Sequence, residues 1–165
     1  MPKQIDLDIT YVRMADEWAQ LSKAVRRKVG CLIVKDDQII SDGYNGTPAG
    51  FDNTCEFVNE GFLDRAENKL QTKPEVLHAE SNALMKLAKS TNSSKDSTIY
   101  LTMSPCFDCA KLIIQAGVIR VIFSEKYRNQ EGVKFLHSNN VIAERVTVPG
   151  VRTISAIHDS CGYDC

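Results

Sequence analysis

His78-Ala79-Glu80 and, further along, Pro105-Cys106-Phe107-Asp108-Cys109 are the residues of this chain whose types and spacing could do chemistry. One imidazole and two thiolates, from His78, Cys106 and Cys109, make a zinc-ligand set with one coordination position left open. That opening separates a catalytic zinc from a closed structural one. A water in such a position has its pKa lowered from about 16 toward ~7, and the resulting hydroxide can attack an electron-poor carbon bearing an amino group. Glu80, close to His78 in the chain, would take the water proton, protonate a ring nitrogen and help ammonia leave. Acid–base work of this kind contributes about 10²–10⁴-fold in rate. A structural zinc knuckle would need a fourth ligand, for which Cys55 is the best candidate, and a lone Cys-x-x-Cys could be a redox pair. The combined constellation favours the catalytic zinc.

The elements that must position these residues can be read from pattern. The segment 9–23 spaces apolar residues as an amphipathic helix does, with Met14 and Trp18 as ordinary core. Strands are predicted over 29–34 and 38–42, joined by a turn at Lys35-Asp36-Asp37. From Gly43 to about Pro74 the chain is polar, a long loop with a helix expected over 57–70. Pro74-Glu75 is expected to open a helix that runs through Ala88, because proline and an acidic residue suit a first helical turn. A strand over 97–102 then leads to a helix from Pro105 to Gln115, capped by Gly117. Cys106 and Cys109, three apart, share one face of its start, where the partly positive helix end favours thiolates. A strand over 120–124, a helix over 130–139 and a strand over 141–148 complete an α/β layered domain with a mixed sheet, residues 1–150. A tail, 151–165, shows no clear period.

Composition bounds the function. The chain has 165 residues, 43% of them hydrophobic, enough for one domain with a sizeable core. Its formal net charge is -1. Neither charge nor sequence supplies the basic, aromatic-interleaved stripe of a polynucleotide binder, which argues against RNA or single-stranded DNA editing. The N-terminus has no apolar signal region, and no apolar run is long enough to span a membrane. The six cysteines, Cys31, Cys55, Cys106, Cys109, Cys161 and Cys165, are expected in a reducing cytoplasm, that of a host if the source is viral. His158, Cys161 and Cys165 look superficially ligand-like, but no fourth ligand is evident. His137 is expected at the surface.

Three stretches carry a family resemblance. They are Gly43-Tyr44-Asn45-Gly46-Thr47-Pro48-Ala49-Gly50-Phe51, His78-Ala79-Glu80-Ser81-Asn82-Ala83, and Ser104-Pro105-Cys106 on through Cys109-Ala110-Lys111-Leu112-Ile113-Ile114-Gln115-Ala116-Gly117. Segments 22–30 and Ser124-Glu125-Lys126-Tyr127 match more weakly. The chain resembles the deoxycytidylate (dCMP) deaminases, of phage type, within the zinc-dependent cytidine/deoxycytidylate deaminases. The resemblance implies a three-layer α-β-α cytidine-deaminase-like fold with a mixed five-stranded sheet. It implies hydrolysis of dCMP to dUMP and ammonia, supplying dUMP for dTMP synthesis. It also implies a homohexamer in which dCTP activates and dTTP inhibits, each with Mg²⁺.

By the same resemblance His78, Cys106 and Cys109 hold zinc and Glu80 moves protons. The Ala79 N–H holds the cytosine carbonyl, the Ser104 carbonyl accepts from the exocyclic amine, Asn45 binds the deoxyribose, and Thr47 joins the substrate set. Arg26 and Arg27, followed by Lys28, are candidates for the phosphate because an arginine fork matches its oxygens, with Tyr127 next. A solvated charged cluster is the alternative for these cations. Asp42, Gly43, Tyr44, Asn45 and Gly46 would carry the regulatory nucleotide, although Ser41 stands where regulated members have glycine. Asn82 is expected either on substrate or in helix packing. Phe51 and Phe107 are expected in the core, at the base pocket or at a subunit contact. Ile113, Ile114 and Val118 are expected at a subunit contact or inside the monomer. Deamination of another small amino-heterocycle, such as free cytidine or a riboflavin precursor, and a catalytically silent zinc scaffold remain alternatives.

Overall fold

The computed structural model describes residues 2–58 and 70–150. The element order is α1 (Gln4–Ala19), β1 (Gly30–Lys35), β2 (Gln38–Tyr44), β3 (Glu56–Val58), β4 (Leu70–Thr72), α2 (Ala79–Leu87), β5 (Thr98–Met103), α3 (Phe107–Gln115), β6 (Arg120–Glu125), α4 (Glu131–Ser138) and β7 (Ile142–Arg145). Five strands form one mixed sheet in the order β2-β1-β5-β6-β7. The pairs β2/β1 and β1/β5 are antiparallel, while β5/β6 and β6/β7 are parallel. This is the mixed five-stranded α/β sheet expected from the sequence.

Period-two side-chain alternation divides the strands between two cores. Cys31, Ile33, Ile99, Leu101, Val121 and Phe123 point to one face and pack with residues of α2, α3 and α4. Leu32, Val34, Tyr100 and Ile122 point to the other and pack under Val12 and Ala15 of α1. Helices on both faces give the three layers.

Helix α1 starts earlier than the pattern 9–23 suggests: Asp6 accepts from the Lys3 N–H at 3.3 Å at its first turn, and the inward stripe is Asp8, Val12, Ala15 and Ala19, a narrow row that begins with a charged residue. Met14 and Trp18 consequently fall off that stripe, at 41% and 38% exposure, and are not core. Trp18 instead donates its Nε1–H to Asp42 Oδ1 at 2.6 Å. Asp8 is buried and receives a bidentate bond from Arg120 (2.7 and 2.6 Å), the Tyr100 hydroxyl (2.9 Å) and Gln4 Nε2 (2.9 Å). A buried carboxylate is tolerable only with compensation of this kind.

Helix α2 begins at Ala79, not Pro74. Leu77 and Gly46 exchange backbone hydrogen bonds of 2.9 and 3.1 Å, and this bridge keeps the chain extended up to His78. The expected helix over 57–70 meets strand at Phe57, Val58 and Leu70, which belong to the β3/β4 hairpin; its middle, and the tail with His158, Cys161 and Cys165, lie outside the described residues. His137 is exposed, as its position late in α4 suggests. Ile113 and Val118 are buried inside the monomer. Phe51 and Phe107 are exposed at 60% and 43%, the latter against Phe135 with ring centroids 4.8 Å apart. No described helix is long and apolar enough to cross a membrane.

Candidate metal centre and substrate pocket

Strand directions decide where a site can form. The C-terminal ends of β2, β5 and β6 and the N-terminal end of β1 lie at the same edge of the sheet. The starts of α2 and α3 sit at this edge too. Ligands gather outside the carboxyl ends of strands, where helix N-termini and loops converge.

His78 is the N-cap of α2 (φ -70°, ψ 158°) and Cys106 the N-cap of α3 (φ -71°, ψ 172°). Both are extended residues just ahead of a helix, so each side chain projects beyond the first turn. Cys109 follows in the first turn of α3. The ligand atoms of His78, Cys106 and Cys109 all lie within 4.8 Å of one another. His78 Nδ1 is 3.6 Å from Cys106 Sγ and 3.4 Å from Cys109 Sγ. Around a tetrahedral zinc with Zn–S of about 2.3 Å and Zn–N of about 2.0–2.1 Å, the N···S edge works out at about 3.6 Å. The donor set and its spacing therefore fit zinc. Cys55 is buried outside this group, so the described residues do not assemble the closed knuckle for which it was a candidate.

The three ligand groups perturb one another through their short contacts and burial. Hydrogen bonds from Cys109 and His78 bring the Cys106 thiol down to about 4, despite the opposing effect of burial. The Cys106 contact in turn raises the His78 imidazole to about 9. The Cys109 thiol is raised, first by its hydrogen bond to Cys106 and then by burial. Glu80 is 4% exposed, and burial pushes its carboxyl above the ordinary range. A carboxyl with a raised pKa and no bulk solvent around it is suited to carrying a proton in both directions.

The loops at the end of β5 hold Arg27, Ser104 and Tyr127 near one another, while Asp42 lies within β2 against Trp18 of α1. Met103 ends β5, and Arg27 donates from its guanidinium to Met103 Sδ at 3.4 Å. Next to Met103, Ser104 Oγ accepts from the Tyr127 N–H at 2.7 Å and from Gln130 Nε2 at 3.3 Å. Arg27 and Tyr127 thus flank the end of β5 from opposite sides. Arg26 is more exposed and reaches Thr72 Oγ1 at 3.2 Å. Asn45 is already engaged: its Oδ1 accepts from Val29 N–H (2.9 Å) and its Nδ2 donates to the Arg27 carbonyl (2.8 Å). An amide retains one N–H and one lone pair after two such bonds. Thr47 donates to the Asp52 carbonyl at 2.5 Å. Asp42 is occupied by Trp18 and Lys86. Gly43 is buried under α2, and the Tyr44 carbonyl accepts from Asn82 Nδ2 at 2.9 Å, so Asn82 serves to tie α2 to the end of β2.

The sequence offered no signal for Gln130 or for Glu56, which reaches the 25–26 backbone across the fold. Their partners are distant in the chain, and only the tertiary structure reveals them.

Residues 5–125, which include His78, Glu80, Cys106 and Cys109, match the family model described as the cytidine and deoxycytidylate deaminase zinc-binding region. The chain belongs to this family. It is 34% identical over 156 residues to the deoxycytidylate deaminase of Enterobacteria phage T4, covering 74% of this chain and 80% of that protein. To the human deoxycytidylate deaminase it is 43% identical over 116 residues, 68% of this chain and 62% of the human one, so the chain spans about three fifths of that longer relative. Among solved structures it resembles a dCMP deaminase from the cyanophage S-TIM5 in complex with dCMP and dUMP. There the TM-score is 0.78 and the identity 39%, covering 88% of this chain and 100% of the other. The member described here thus carries the family's zinc-binding region on a fold shared with a nucleotide-bound relative.

Proposed function

We propose that the protein catalyses zinc-dependent hydrolytic deamination of dCMP, in which water replaces the exocyclic amine to give dUMP and ammonia, a supply of dUMP for dTMP synthesis. The observation that carries this reading is the likeness, over nearly the full chain, to a phage deaminase solved with both dCMP and dUMP. His78, Cys106 and Cys109 are the residues that would hold the zinc. Such an ion supplies a Lewis-acidic position that activates water near neutral pH.

The chain's own residues then account for the rest. Glu80 takes a proton from the attacking water and passes it to the ring nitrogen next to the amine-bearing carbon; it then takes the second proton, from the hydroxyl now on that carbon, and delivers it to the amine as the C–N bond breaks and the carbonyl forms. Burial suits it to both roles. The Ala79 N–H, at the first residue of α2, is a free helix-end donor for the cytosine carbonyl. The Ser104 carbonyl accepts from the amine, and Asn45 offers its remaining N–H and lone pair to the sugar, with Thr47 beside it in the same loop. Arg26, Arg27 and Tyr127 border the phosphate. On the same reading a homohexamer binds dCTP or dTTP with Mg²⁺ at Asp42, Gly43, Tyr44, Asn45 and Gly46. Support for that regulation is the sequence resemblance of this loop; Asp42 engages Trp18 and Lys86 through Oδ1 alone, and a carboxylate has a second oxygen to offer.

The test is ammonia release by the zinc-loaded protein from dCMP and from deoxycytidine, with and without Mg·dCTP or Mg·dTTP. The expected result is turnover of dCMP well above deoxycytidine, raised by dCTP and lowered by dTTP. Turnover indifferent to both triphosphates would remove the regulatory assignment, and no turnover of dCMP would overturn the reading as a whole.

A further inference from the structure

Glu56, the first residue of β3, is a buried carboxylate that the reaction itself does not use. It is 7% exposed. Instead of pairing with an arginine, it faces two consecutive backbone donors. The Val25 N–H lies 3.0 and 3.2 Å from its two oxygens, and the Arg26 N–H lies 3.1 Å from Oε1. Charge-assisted bonds of this kind are among the stronger ones, and a carboxylate withdrawn from water requires them. The neighbouring strand β4 adds Thr72, whose hydroxyl accepts from the Arg26 guanidinium at 3.2 Å. From the opposite side Asn45 binds the Arg27 carbonyl and the Val29 N–H, and Ser22 Oγ donates to the Asn45 carbonyl at 2.7 Å. The backbone from Val25 to Val29 is therefore clamped between the β3/β4 hairpin and the end of β2.

The clamp leaves the cationic heads available. Among the described residues neither Arg26 nor Arg27 enters an ion pair. The contact of Arg27 is to a thioether, a weak acceptor that engages one of five guanidinium donors. It sits at the end of β5 next to Ser104, on the rim of the metal centre. Glu56 is engaged by the backbone, and among the described residues neither guanidinium is paired with it.

We propose that Glu56 is a positioning residue for the substrate phosphate. Through the Val25 and Arg26 N–H groups it fixes the loop that presents Arg26 and Arg27 to a deoxynucleoside monophosphate. The proposal rests on the reading of the substrate as dCMP and adds to it the group that sets the loop.

The experiment compares kcat/KM for dCMP with kcat/KM for deoxycytidine in the zinc-loaded wild type, Glu56→Ala and Glu56→Gln. A role confined to folding would lower both substrates together. A positioning role lowers the dCMP-to-deoxycytidine ratio by ~10-fold or more in Glu56→Ala, chiefly through KM, because misplacement by about 1 Å costs up to 10²-fold. Glu56→Gln, which keeps one acceptor oxygen, is expected to lose about threefold, since the charge-assisted part of the bond is gone. A ratio in Glu56→Ala within twofold of a wild type that does favour dCMP overturns the assignment of Glu56 and leaves the substrate reading intact. Should Glu56→Ala fail to fold, an unchanged ratio in Glu56→Gln overturns it equally. A wild type that does not favour dCMP over deoxycytidine overturns both.

Discussion

Gly43→Ala is expected to damage catalysis by moving a helix, with no contact to substrate required. A Cβ at residue 43 would stand 2.3 Å from the Ala79 carbonyl oxygen and 2.7 Å from the Ala83 nitrogen, both backbone atoms of α2. Ordinary contact begins at 3.4 Å, so the first of these is short by about 1.1 Å. Side-chain rotation cannot relieve a clash between a Cβ and a helix backbone. Either α2 or β2 must shift. Helix α2 is tied to β2 by Ser41 Oγ donating to the Ala83 carbonyl (2.8 Å) and by Asn82 reaching the Tyr44 carbonyl (2.9 Å), so it cannot slide away without breaking those bonds. Overpacking of this kind costs about 1–3 kcal/mol in stability. The shift falls on the turn that carries His78, Ala79 and Glu80, and about 1 Å of misplacement at a reacting centre costs up to ~10²-fold in rate. The assay is kcat/KM for dCMP, with zinc content and Tm on the same preparation. A variant with full zinc, unchanged Tm and kcat/KM within twofold of wild type would refute the argument that this close contact sets the position of the catalytic turn.

Glu80→Gln should retain zinc and fold while losing ~10²–10⁴-fold in kcat, read as ammonia release beside metal analysis; substantial residual turnover would remove Glu80 from the proton path. Asp8→Ala should destabilise the protein by about 3 kcal/mol at pH 7, because breaking a buried pair costs ~3–5 kcal/mol and Glu144, 3.5 Å from Arg120, remains as a partial substitute. Burial raises the Asp8 carboxyl, but the bonds from Arg120, Gln4 and Tyr100 outweigh it and the net direction is down from 3.8. The wild-type advantage is therefore fully present above pH 3.8 and fades as pH falls through the lower folded-state value. Denaturant unfolding of both proteins at neutral and acid pH measures it, and a gap that widens on acidification would contradict the sign.

What could be read from the sequence was local. Cys31, Leu32, Ile33 and Val34 lie in a continuous apolar run, and the two-sided burial of β1 follows directly from it. The spacings of His78 with Glu80 and of Cys106 with Cys109 fall within single turns, so the sequence already shows which residues can act together. What escaped depended on partners far away. The start of α2 is set by Leu77 pairing with Gly46, not by Pro74. The start of α1 is marked by Asp6 accepting from the Lys3 N–H, and its first inward residue is Asp8 meeting Arg120, neither of which a hydrophobic pattern reports. Met14 and Trp18 are apolar but do not face inward, because the inward row is filled by Val12, Ala15 and Ala19. The β3/β4 hairpin pairs three residues from each strand, mostly exposed, and carries no periodic signal strong enough to compete with a helix.

These two kinds of information correspond to two ways of holding the site. The metal half is fixed by packing. Gly43 lies against the backbone of α2, and Gly132 of α4 lies so close to the Cys106 turn that a Cβ there would stand 2.3 Å from the Pro105 carbonyl oxygen. Such contacts are steep, and a displacement of a few tenths of an ångström is resisted by backbone on both sides. On the proposed reading, the recognition half is held by side-chain hydrogen bonds between loops: Glu56 and Asn45 on the arginine loop, Ser104 and Gln130 on the Tyr127 loop. Each of those bonds can be lost singly without creating a clash. Substitutions in the loops should therefore change which molecule is accepted while leaving the metal ligands in place, whereas substitutions at the two glycines should disturb the chemistry for every substrate alike. On the proposed reading, that difference is why Glu56→Ala must separate dCMP from deoxycytidine and Gly43→Ala must not.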